Sequence, residues 1–143
     1  GSSDWDAIGQ LKKELDIPVF ANGDIKSVED AIKCLEITKA DGVSIGRGIM
    51  GDFTLPFRIE HYFRTGEIIK EPSLDETIKM LLEHIEDEIE LRNEINGIKF
   101  MRKFYGFYIS SVKNASKYRQ VLVTLETYDK VKKALDDILC LHA

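Results

Sequence analysis

The spacing of apolar positions changes character once along the chain. From Asp4 to Leu15 they fall at Trp5, Ile8, Leu11 and Leu15, the spacing of one helical face. Ile17-Pro18-Val19-Phe20-Ala21 is an apolar run too short for a helix and predicts a buried strand, ended by the turn residues Asn22-Gly23-Asp24. Ser27 offers an N-cap with Asp30 three residues on, and Val28, Ala31, Ile32 and Leu35 give the next helix its apolar face. Asp41-Gly42-Val43-Ser44-Ile45 repeats the strand pattern and ends in Gly46-Arg47-Gly48. A third helix is predicted beyond Asp52, carrying Phe57, Ile59, Tyr62 and Phe63 as far as Gly66. Strand, helix and strand of these lengths predict parallel neighbours joined by a right-handed crossover. Two parallel strands are not a stable sheet by themselves, so the pattern points to part of a larger α/β architecture.

The strand signal stops near Glu71-Pro72, which divides the chain into an α/β segment over 1–70 and an all-α segment over 71–143. Ser73 and Glu76 form a capping box that opens a long helix with a stripe of Leu74, Ile78, Leu81, Leu82, Ile85 and Ile89. Asn96-Gly97 is expected to interrupt or bend it. A second helix is predicted over roughly 98–109, a third from Asn114, which is placed to cap it, and a fourth over about 128–141. Together they predict a small helical bundle.

Composition narrows the class. With 143 residues and 43% hydrophobic content the chain is globular, with room for one ordinary domain or two small ones. It has no run of eighteen apolar residues and no signal-peptide pattern at its start, so no membrane span is expected and a cytoplasmic location is. Cys34 and Cys140 read as free thiols of a reducing compartment. His61, His84 and His142 lack ligand spacing, so no metal site is expected.

Charge changes the picture more. The net charge is −5, yet its distribution is uneven. From Leu74 to Glu94 the acids Asp75, Glu76, Glu83, Glu86, Asp87, Glu88, Glu90 and Glu94 face only Lys79 and Arg92. From Lys99 to Arg119 stand Lys99, Arg102, Lys103, Lys113, Lys117 and Arg119, with no acid and with aromatic residues interleaved. Such a block can bind a polyanion on one face of an acidic chain, or pair internally with the acidic helix. Tyr105 and Tyr108 are candidates for stacking on exposed bases, whereas Phe104 and Phe107 are expected in the core.

Both strands end in glycine turns that lead into helices. Such turns expose backbone N–H groups at helix starts, and Arg47 between two glycines can add a bidentate contact to a phosphate. One turn alone reads better as a tight turn with a surface charge. Two on adjacent parallel strands converge on one sheet edge, as in the phosphate site of a (β/α)8 barrel.

The segment Ile17-Pro18-Val19-Phe20-Ala21-Asn22-Gly23-Asp24-Ile25, followed by Ala40-Asp41-Gly42-Val43-Ser44-Ile45-Gly46-Arg47-Gly48, resembles the last two barrel strands of tRNA-dihydrouridine synthases. Asp4-Trp5 and its helix resemble the segment before them. Met101-Arg102-Lys103, Asn114-Ala115 and Arg119-Gln120 resemble the helical tail of the same family, so the likeness runs in order over nearly the whole chain. Ser110-Ser111-Val112-Lys113 departs from the family's commoner Gly/Pro turn.

The resemblance implies the C-terminal portion of a TIM (β/α)8 barrel followed by a tRNA-binding helical bundle. It implies that Asn22, Gly23, Asp24, Gly46 and Arg47 hold flavin mononucleotide (FMN), chiefly at its phosphate and ribityl end. It further implies that Lys99, Arg102, Lys103, Tyr105, Lys113 and Arg119 face tRNA. The family reduces uridine in tRNA to 5,6-dihydrouridine, with NADPH reducing the flavin and a loop cysteine supplying the proton. That cysteine belongs to earlier barrel strands, so no catalytic residue is assigned here and the piece alone is expected to be inactive. Alternative readings are a stand-alone RNA-binding module, or a piece of another phosphate-binding barrel whose helical tail is an oligomerisation arm. An incomplete barrel is also expected to bind FMN weakly and to self-associate through exposed strands.

Overall fold

The computed structural model of the protein describes residues 2–142 and separates into two compact units. One comprises the chain as far as Ile49 together with Phe53–Glu71; the other comprises Met50–Asp52 and the chain from Pro72 onward.

In the first unit, helix α1 (Trp5–Glu14) begins where Asp4 accepts a hydrogen bond from the Ala7 amide. Strand β1 (Phe20–Asn22) pairs in parallel with β2 (Gly42–Ser44), in the register Phe20–Gly42, Ala21–Val43 and Asn22–Ser44. Between them runs α2 (Val28–Thr38), capped by the Ser27 hydroxyl on the Asp30 amide. A single 3-10 turn (Arg47–Ile49) follows β2, and α3 (Leu55–Thr65) ends on Gly66 in the left-handed region. The βαβ expectation therefore holds, with strands shorter than the apolar runs that announced them. Ala21, Ile25, Val28, Ala31, Cys34, Leu55 and Ile59 are the buried core.

Two expectations fail here. The first strand is not buried along its length: Ile17 is 62% and Phe20 63% exposed. Its partner strand is also only partly covered at Val43. The inner face of α3 is Leu55, Arg58, Ile59 and Tyr62, leaving Phe57 and Phe63 outside. Arg58 at 3% exposure disguises that face in the sequence; its Nε donates to Thr54 Oγ1 at 3.2 Å.

The second unit is all helical. α4 (Leu74–Arg92) starts with the expected capping box: the Ser73 hydroxyl accepts from the Glu76 amide, and the Glu76 carboxylate accepts from the Ser73 amide. Glu76 is held below the usual carboxylate range chiefly by that Ser73 amide. The helix ends at Asn93 (φ +69°), not at Asn96-Gly97. Asn93 also caps α5 (Glu94–Met101) by accepting from the Asn96 amide. Gly97 lies inside α5 with a different role. A Cβ there would sit 2.8 Å from the Glu88 carbonyl oxygen and the Ile89 nitrogen, so its absence lets α5 fold back against the α4 backbone.

The single helix expected over 98–109 is broken. α5 ends at Met101, and a one-turn helix α6 (Tyr105–Tyr108) follows the turn through Arg102–Phe104. α7 (Ala115–Leu122) and α8 (Tyr128–His142) complete the unit. Its buried core includes Ile78, Leu81, Ile85, Ile98, Met101, Tyr105, Tyr108, Leu122, Val131, Leu135 and Ile138. No helix among the described residues is long and apolar enough to cross a membrane.

Candidate functional site

In the α/β unit the two glycine turns meet. Asn22, Gly23, Asp24, Gly46 and Arg47 all line one shallow cavity of about 210 Å³, joined by Ile25, Lys26, Ser44 and Gly48. Backbone geometry explains the meeting. Gly23 (φ +114°) and Asp24 (φ +55°) turn the chain sharply after β1. Gly48 rests on the Ile25 carbonyl so closely that any Cβ would collide with it. Asn22 ties the strand ends together, its Nδ2 donating to the Ser44 carbonyl at 3.0 Å and to Ser44 Oγ at 3.3 Å. The Trp5 indole N–H donates to the Gly23 carbonyl at 3.1 Å, so α1 braces the turn.

The charges around the cavity have separate duties. The Asp24 carboxylate is engaged by the Ser3 amide at 2.6 Å and the Ser3 hydroxyl at 3.2 Å. Those bonds hold its carboxyl below the usual range, assisted by the nearby Lys26 and Arg47 charges. Asp24 thus stays ionised as a brace of the turn, with its negative charge offset by two cations. Arg47 is exposed beside Gly46, and nothing lies within 4 Å of where a Gly46 Cβ would project. With the Asp24 carboxylate, the lining of Lys26 and Arg47 leaves one net positive charge beside bare backbone, which suits an anion.

Neither cysteine lines this cavity. Cys34 is fully buried in α2, where burial pushes its thiol up, opposite to the shift that activates a thiolate. Cys140 is exposed on α8. Among the described residues no group of three or more His, Cys, Asp or Glu is arranged to hold a metal.

In the helical unit the residues expected to face RNA part company. Lys103 and Arg119 line a groove of about 410 Å³ with Gly106, Phe107, Ala115 and Ser116. Lys99 and Lys113 are exposed but do not line it. Arg102 is turned inward: its guanidinium donates to the Leu125 carbonyl at 3.3 Å, and its Nε is buried. It ties the α5 end to the segment before α8.

Tyr105 is a correction. Its side chain is 0% exposed and its phenol is pushed up to about 12 by burial, so its ring belongs to the core and offers no face for stacking. Tyr108 is likewise buried, with its hydroxyl 2.9 Å from His84 Nδ1. The expected core residue Phe107 is instead 41% exposed in the groove, while Phe104 is half-buried. Asn114 occupies the start of α7 in the left-handed region, and its side chain makes no capping bond.

Comparison with known proteins places this geometry in context. A family model described as dihydrouridine synthase (Dus) matches residues 1–142. The chain is 40% identical over 126 residues to tRNA-dihydrouridine synthase B of Pseudomonas putida, covering 88% of this chain and 37% of that protein. It is 38% identical over 139 residues to the probable tRNA-dihydrouridine synthase 1 of a Synechocystis species, covering 97% and 39%. The probable tRNA-dihydrouridine synthase of Rickettsia bellii is 38% identical over 119 residues, covering 83% and 36%. The chain therefore spans well under half the length of these relatives.

Proposed function

The chain belongs to the dihydrouridine synthase family, and we propose that it forms the C-terminal part of an FMN-dependent tRNA-dihydrouridine synthase. In this reading the α/β unit contributes the last two strands of a (β/α)8 barrel, where phosphate sites of that fold are built. The helical unit docks the tRNA. The observation that carries the cofactor half is the gathering of Asn22, Gly23, Asp24, Gly46 and Arg47 around one cavity.

The cavity fits the phosphate end of FMN. Gly46 presents unshielded backbone, Arg47 and Lys26 supply positive charge, and Asp24 is occupied by Ser3. When bound, the flavin supplies the hydride that saturates the uracil ring, with NADPH as the ultimate reductant. This chain's own residues bind and orient. Gly46 and Arg47 hold the phosphate, and Asn22 fixes the spacing of the two strand ends through Ser44. Neither cysteine of this chain is placed to supply the proton. Cys34 is sealed in the core and Cys140 belongs to the other unit.

The test is binding of unmodified bulk tRNA, followed by fluorescence anisotropy over a salt series. The expected result is saturable binding whose log–log salt slope is roughly −0.7 to −0.9 per phosphate neutralised. The double variant Lys103→Glu, Arg119→Glu is expected to weaken it at least about tenfold. No binding at low salt would remove tRNA docking from the helical unit.

A further inference from the structure

Four basic residues of this chain are held in ion pairs. Lys12, Lys79, Arg92 and Lys132 are committed to Asp41, Asp75, Glu88 and Asp136 at 2.5–3.3 Å. Lys103 and Arg119 have no such partner among the described residues, although the chain carries 25 acids against 20 lysines and arginines. Among the described residues no carboxylate lines their groove.

Each of the two cations is positioned by a neighbour. The Lys103 ammonium lies 3.8 Å from the Phe100 ring centroid and 4.9 Å from that of Phe104, a cation–π arrangement that restricts a flexible side chain. The Arg119 stem lies over Gly106, where a Cβ would come within 3.1 Å of its Cδ. The exposed Phe107 shares the groove with both. Its volume of about 410 Å³ lies within the roughly 300–1,000 Å³ of small-molecule clefts, too large for a lone ion. Two unpaired cations and an accessible ring in a carboxylate-free cleft suit a ligand that joins an aromatic heterocycle to an anion.

Resting on the tRNA-docking reading above, we infer that this groove holds one unpaired nucleotide of the bound RNA, its base stacked on Phe107 and its phosphate held between Lys103 and Arg119. Stacking reads the π-face present on every base, so the subsite distinguishes single-stranded from paired RNA and not one base from another. Phe107 here acts as a positioning residue for the bound RNA and takes no part in the chemistry.

The experiment compares two probes by anisotropy on the same chain: an unstructured oligouridine and a blunt RNA duplex of equal length. Phe107→Leu keeps apolar bulk but loses the aromatic face. It is expected to weaken oligouridine binding roughly tenfold, within the range of one base–aromatic stack, while duplex affinity and the salt slope stay unchanged. Phe107→Tyr is expected to bind oligouridine as the original chain does. Arg119→Gln is expected to lower the oligouridine salt slope by about 0.7, the value for one phosphate on a single strand. If Phe107→Leu matches the original chain on oligouridine, or weakens both probes equally, the subsite is overturned while tRNA docking stands. If the original chain binds neither bulk tRNA nor oligouridine at low salt, both readings fall together.

Discussion

The two units solve the same problem with unequal means. The helical unit closes its core around large side chains, with Leu81, Ile85, Met101, Tyr105 and Leu135 all at 0% exposure. The α/β unit has a smaller core, in which Ala21, Ala31 and Cys34 are buried beside Ile25, Val28, Leu55 and Ile59, while Ile17 and Phe20 stay in solvent. Burial of apolar surface stabilises at about 25 cal/mol per Å², so the helical unit draws its stability from its own packing. The α/β unit has apolar surface still to cover, consistent with a sheet that needs further strands. A helical unit packed in this way can be rigid by itself. A cavity built on the end of two strands depends on what lies beside them.

The sharpest way to break this contrast is to hollow out the stronger core. Leu81→Ala is expected to destabilise the helical unit by about 2–5 kcal/mol, the usual cost of a buried leucine truncated to alanine. Hydrogen exchange should show protection lost in residues 72–142 and retained by α1 and α2. Uniform loss over both units would mean that their stabilities are not separate.

A smaller effect separates two glycines of one turn. Gly48→Ala drives a methyl group into the Ile25 carbonyl, and overpacking of that kind costs about 1–3 kcal/mol. Gly46→Ala meets no neighbouring atom, so thermal melting should leave its stability within about 0.5 kcal/mol of the original chain. Equal melting temperatures for the two variants would refute the close approach of the turns.

Phe20→Ser should scarcely alter stability, because the ring is already 63% exposed, but it removes apolar surface at an open strand. Light scattering is expected to find the original chain above monomer mass with rising concentration, and this variant shifted towards monomer. A monodisperse monomer for the original chain would sink the idea that the exposed strand drives association.

Features governed by a few adjacent residues were legible in the sequence. The Ser73–Glu76 box, the Ser27 cap on α2 and the Gly66 stop of α3 all depend on neighbours within four positions, and all are present. The turns bearing Gly23 and Gly46 were legible because their spacing implied adjacent parallel strands. Helical phase was not. With Ile98 and Met101 inward, Tyr105 and Tyr108 stand seven and ten positions on from Ile98, on the same helical face, and Phe107 stands nine on, on the opposite one. Reading the phenylalanines as core puts the buried face half a turn out, and the turn at Arg102–Phe104 leaves Tyr105 inside and Phe107 outside. Arg102 shows what a charge pattern leaves out. A basic residue in a basic block looks like part of a binding face, yet it is held by the Leu125 carbonyl, 23 positions away.

The joint at Asn93 carries a consequence for how the helical unit acquires its shape. α4 and α5 are separated by one residue, and Gly97 brings their backbones together across fewer than ten positions of sequence. Closing so short a loop forfeits little chain entropy, and contacts between near neighbours in sequence form fast. This hairpin is therefore the natural starting point for assembly. The basic groove, which needs α6 and α7 in place, is among the later features to arise.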